Sequence, residues 1–120
     1  MRIGVQTITY GQTIEDLPRL LAFVASLGFR GVEFAQRPEA LGSPLWLRDL
    51  LHENGLRLAG MTGGSIGERV KYCGDILKPD YLCLEAWDKE AAVECTKQGI
   101  RPVVHPHVFM QIRDLDRARE

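Results

Sequence analysis

The sequence has no long apolar run; nothing in it approaches the ~20 residues that a membrane-spanning helix needs. It also has no basic run interleaved with aromatics. A net charge of −1 and a pI near 6.3 give no field that would draw nucleic acid or an anionic membrane. Cysteine is scarce. Cys73, Cys83 and Cys95 are odd in number and contain no CxxC pair, so they fit neither a thiolate metal site nor a disulfide framework. They read as reduced, mostly buried thiols, which points to the cytoplasm. No histidine motif accompanies any of them, which argues against a catalytic cysteine. GxGxxG and the P-loop pattern are both missing, which leaves little ground for a nucleotide site. Met1-Arg2-Ile3-Gly4-Val5 enters a strand pattern at once, so no signal peptide is expected.

What is present is a repeated βα pattern. Strand-like runs begin near residues 2, 29, 56, 81 and 100, each followed by helical spacing. The first helix is expected after Thr13, with Glu15 and Asp16 in its first turn. Pro18 requires a start near or after that point. Ser43-Pro44 is an N-cap with proline at the first helical position. Ser65 and Glu68 form a capping box, and Ile66, Val70, Cys73, Ile76 and Leu77 share a helical face up to Pro79. Asp88 caps a short fourth helix, and residues 114–120 have helical composition. Such alternation predicts an α/β fold with about five parallel strands and intervening helices in a single domain, residues 1–120.

In parallel α/β folds ligands bind beyond the C-terminal ends of the strands. Each predicted strand here ends in polar groups: Gln6 and Thr7, Glu33, Thr62-Gly63-Gly64, Glu85 with Trp87, and His105 with His107. A carboxylate in a strand buried on both faces costs several kcal/mol unless it finds a partner. Glu33 therefore needs an arginine (Arg30, Arg37 or Arg57), a metal, or water. Glu85 can equally lie in solvent. Thr62-Gly63-Gly64-Ser65 reads either as a turn and helix cap or as an anion site. Trp46 is expected in the core, Trp87 can stack on a sugar face, and His52 belongs on the surface near a helix C-terminus.

Val103-Val104-His105-Pro106-His107 is the densest of these groups. Side chains at i and i+2 of an extended segment point the same way, so His105 and His107 can aim at one point. The plainer alternative is two loop residues ordered by a proline.

Together with Arg2-Ile3-Gly4-Val5-Gln6-Thr7, Gly28-Phe29-Arg30-Gly31-Val32-Glu33, Glu53-Asn54-Gly55-Leu56-Arg57-Leu58-Ala59-Gly60 and Gly99-Ile100, this strand end resembles the sugar phosphate isomerase/epimerase family, the xylose isomerase-like TIM barrels. The resemblance covers nearly the whole chain. It implies a divalent metal (Mn²⁺, Mg²⁺, Co²⁺ or Zn²⁺) and a ketose, aldose or inosose-like substrate. It also implies an eight-strand barrel of ~250 residues, of which about five strands are here: a partial (βα) TIM barrel. On that reading Glu33 and His105 are catalytic. Gln6, Thr62, Gly63, Trp87 and His107 bind substrate, and His105 and His107 hold metal. Without the later carboxylates the chain is expected to be weakly active or inactive, or a non-catalytic sugar- or metal-binding remnant. Its open sheet edges suggest a homo-oligomer. The competing fold is a five-stranded flavodoxin-like sheet. A phosphoacceptor of that kind needs acids where this chain has Gln6-Thr7 and Met61-Thr62, and a lysine where it has His105.

Overall fold

A computed structural model describes residues 3–11, 14–84 and 88–105. Five strands, β1 (Gly4–Gln6), β2 (Gly31–Phe34), β3 (Arg57–Met61), β4 (Tyr81–Leu84) and β5 (Arg101–Val104), alternate with four helices. The helices are α1 (Leu17–Ser26), α2 (Pro44–Glu53), α3 (Ile66–Cys73) and α4 (Lys89–Lys97). All strand pairs are parallel, and their order is β1-β2-β3-β4-β5.

That order separates the two candidate folds. A flavodoxin-like sheet runs 2-1-3-4-5, with β1 inserted between β2 and β3. Here β2 pairs directly with β3. Sequential strands joined by crossovers of one hand keep every helix on the same face. The core agrees: one apolar cluster joins Leu21 and Val24 of α1, Leu47 of α2, Cys73 of α3 and Cys95 of α4 to Val32, Phe34, Leu58 and Leu82. Burying each large apolar side chain contributes about 1.5–3 kcal/mol. The fold is therefore a partial βα barrel, helices outside, with the opposite sheet face turned inward.

Local chemistry sets the helix starts. The Asp16 carboxylate accepts from the Arg19 N–H at 3.0 Å, and Pro18 lies within the first turn, where its missing N–H costs nothing. The helix thus begins at Leu17, later than expected: Asp16 is its N-cap and Glu15 precedes it, so neither acid lies in the first turn, and Thr13 lies outside the described residues. Ser43 caps α2 through the Trp46 N–H at 3.2 Å. Both bonds of the Ser65/Glu68 capping box form. The Ser65 N–H, with Arg37 next in weight, holds the Glu68 carboxyl at about 2, and Glu68 in turn raises the Arg37 guanidinium.

Two further expectations need correction. Helix α3 ends at Cys73, before Ile76, because Gly74 turns the chain at φ +46. Ile76 is consequently exposed while Leu77 is buried. Trp46 is not in the core but 44% exposed, since its ring lies over Gly42, where an added Cβ would come within 2.7 Å of it.

β3 carries one irregularity that matters below. Val32 pairs with Leu58, yet Glu33 pairs with Gly60. Ala59 is the extra residue of a bulge. Leu58 and Met61 both reach the helix-side core, while Ala59 turns toward Gly31 on the other face, 3.7 Å from where a Gly31 Cβ would lie.

Candidate functional site

The inward face carries one row of paired residues. Gln6 pairs with Glu33, Glu33 with Gly60, Gly60 with Tyr81, and Tyr81 with Arg101. Glu33 alternates with Val32 and Phe34, which are fully buried against the helices, so its carboxylate faces inward.

Two neutral donors hold that carboxylate. The Gln6 amide Nε2 donates to Oε1, and the Tyr81 hydroxyl donates to Oε2. None of the three candidate arginines reaches it. Arg57 pairs with Asp80, Arg37 pairs with Glu68 at 2.9 Å and Glu39 at 3.6 Å, and Arg30 donates to the Phe29 carbonyl at 3.3 Å. Burial, then the Glu33 hydrogen bond, pushes the Tyr81 phenol well above its ordinary value. Cys83, two residues on along β4, is also raised, by burial and then by the Glu33 charge, with Arg69 opposing. Beside the row, toward the N-terminal ends of the strands, lies an open depression of about 320 Å³. Its lining includes Gly4, Gly31, Ala59, Arg57 and Asp80.

The remaining expected site residues are distributed differently. His105 is exposed; its N–H donates to the Leu84 carbonyl at 3.4 Å. It lies four positions beyond Arg101, about 13 Å further along the strand direction than the row of Glu33. Register thus separates Glu33 from His105. Thr62 is turned to protein: its N–H donates to the Phe34 carbonyl at 2.9 Å and its hydroxyl to the same oxygen at 3.4 Å. Gly63 is pressed onto the Ala35–Gln36 backbone. His107, Glu85, Trp87 and the stretch 114–120 lie outside the described residues.

Of the two histidines to which the resemblance gives a metal, His105 is described and His107 is not; among the described residues no three His, Cys, Asp or Glu side chains converge on one point.

Two groups escaped the sequence. Arg69 of α3 is fully buried. Its Nη1 donates to the carbonyls of Thr62 (2.7 Å) and Gly63 (3.3 Å), and its Nη2 to that of Cys83. Gln36, also fully buried, donates to the Thr7 carbonyl at 3.1 Å and the Gly11 carbonyl at 2.7 Å, and accepts from the Thr7 hydroxyl. For Arg69 the available signal was an arginine beside Val70 on the apolar face of α3; for Tyr81, which sequence reasoning also passed over, it was the glycine inside β3, whose missing side chain leaves room for the Tyr81 ring. A strand glycine often marks the close approach of another group.

These features define an α/β chain with a sequentially ordered parallel sheet and an inward carboxylate clamped by an amide and a phenol. No protein-family model matches the chain, and a search of curated proteins gives no match. No helix among the described residues is long and apolar enough to cross a membrane.

Proposed function

We propose that the chain supplies consecutive βα units of a sugar isomerase/epimerase-like barrel, in which Glu33 is the inward carboxylate that meets a ketose, aldose or inosose-like ligand. The observation that carries this reading is the placement of Glu33 on the helix-free face of a parallel sheet in barrel order. Chemistry supports it. An ionised carboxylate has about four acceptor directions, two on each oxygen. Gln6 and Tyr81 use one on each, which leaves one on each for a pair of adjacent hydroxyls. Such a carboxylate can also take a proton from a carbon next to a carbonyl and return it to a neighbouring carbon. The three free thiols support the cytoplasm as its location.

The test is deuterium wash-in, followed by NMR, from a panel of ketopentoses, ketohexoses and inososes in D₂O with Mn²⁺, Mg²⁺, Co²⁺ or Zn²⁺ present. Exchange beside the carbonyl is expected, falling at least ~100-fold in Glu33→Gln. The second reading is a sugar-binding unit without turnover, favoured by the fixed hydrogen bonds on both Glu33 oxygens. It predicts Glu33-dependent binding with no exchange. Failure of the whole panel to bind would reject both.

The reading extends to assembly. Among the described residues β1 and β5 are edge strands, and Ile3 and Ile8 near β1 are 50% and 63% exposed. Unpaired edges recruit further chain. Sedimentation velocity is expected to show self-association that grows with concentration; a compact monomer at every concentration would contradict it.

A further inference from the structure

We propose that Tyr81 is the positioning residue of Glu33, and that Gly60 serves as the passage that lets the Tyr81 ring cross β3 to reach it. This deepens the carboxylate reading above and rests on it for its functional meaning, but its geometry stands independently.

Tyr81 and Glu33 are not neighbours in the sheet. They sit on β4 and β2, with β3 between them. The residue of β3 paired with both is Gly60. A Cβ at Gly60 would fall 2.4 Å from Tyr81 Cε2 and 2.7 Å from Cζ. Such distances are far inside van der Waals contact, so the ring occupies the space a side chain would take. The phenol is thereby laid across a strand, its hydroxyl on Glu33 Oε2. Gln6 holds the other oxygen from β1. Four adjacent strands thus contribute to fixing one carboxylate: β1 and β4 supply donors, β2 the acid, and β3 an opening.

The arrangement fixes the plane of the carboxylate and supplies a proton donor without a cation. Charged and titratable groups near Tyr81 are Glu33 on β2, Cys83 on β4, Asp80 before it (paired with Arg57 of β3), Arg69 of α3 at the Cys83 carbonyl, and Arg101 of β5 in register. Glu33 alone of these accepts from the hydroxyl.

The experiment labels the full chain with ζ-carbon ¹³C tyrosine and follows phenol ionisation by NMR. Three tyrosines are present, and Tyr72, which donates to the Gly42 carbonyl at 2.9 Å, serves as the internal fold reporter. A phenol that donates to a carboxylate ionises late. Glu33→Gln removes the charged acceptor, so the Tyr81 midpoint should fall by about one pH unit. Gly60→Ala, which displaces the ring, should lower it likewise, with Tyr72 unmoved in both. An unchanged Tyr81 midpoint in Glu33→Gln would overturn the proposal. The wild-type chain gives a reading that needs no variant: a slowly exchanging Tyr81 hydroxyl proton with a cross-peak to the Gly60 α-protons is expected at neutral pH. Its absence would overturn the proposal too. Because no readout is turnover, a chain that passes here yet binds no sugar would sink the functional reading alone.

Discussion

Replacing Gly63 with alanine is expected to destabilise the chain by about 3 kcal/mol, at the upper end of overpacking costs. An added methyl would lie 2.2 Å from the Gln36 carbonyl oxygen, 2.3 Å from its carbon and 2.4 Å from the Ala35 oxygen. All three are backbone atoms, so no rotamer change relieves the clash. Nor can the segment retreat easily. Gln36 is fully buried and anchored to Thr7 and Gly11, while the Ala35 N–H donates to the Thr7 hydroxyl at 3.1 Å. Urea denaturation reads the loss as a lower midpoint. Gly67 is the matched control, since a methyl there meets nothing within 4 Å. An unshifted midpoint for Gly63→Ala would show that the loops after β2 and β3 do not meet as described.

Arg69→Leu should cost a similar amount, about 3 kcal/mol or more. The guanidinium spans two elements, the Thr62-Gly63 turn after β3 and the Cys83 carbonyl of β4. Leucine fills much of the volume but leaves those carbonyls without their donor, and each buried orphan costs about 1–3 kcal/mol. Arg69→Lys is the sharper probe. An ammonium keeps the charge but lacks the planar fork that reaches two carbonyl groups at once. Lysine should therefore recover only part of the loss. Full recovery would mean that charge, rather than the fork, holds the turn.

Much of the fold was legible because its signals are local. Ser43-Pro44, the Ser65/Glu68 box and Asp88 mark helix starts through bonds spanning three residues. The βα spacing implied the parallel sheet. Trp46 misled because its neighbour Gly42 offered an exposed shelf, which apolar spacing does not report. The site was half legible. Gln6 and Glu33 stood out as polar groups at strand ends. Tyr81 did not, because an aromatic opening a strand is ordinary. Its role depends on which residue of β3 lies between it and Glu33. That is a matter of register, and register here is offset by one at the bulge.

The bulge at Ala59 also bears on how such a strand changes over generations. Leu58 and Met61 answer to the helices, while Ala59 and Gly60 answer to the inner face. Deleting Ala59 would leave Leu58, Gly60 and Met61 in straight alternation opposite Val32, Glu33 and Phe34, with the core pair and the glycine opening each on its present side. Loss of Leu58 or Met61 would instead empty a core position, and loss of Gly60 would set the Ala59 methyl in the path of the Tyr81 ring. Descendants of this sequence should therefore shorten β3 at 59 if they shorten it at all.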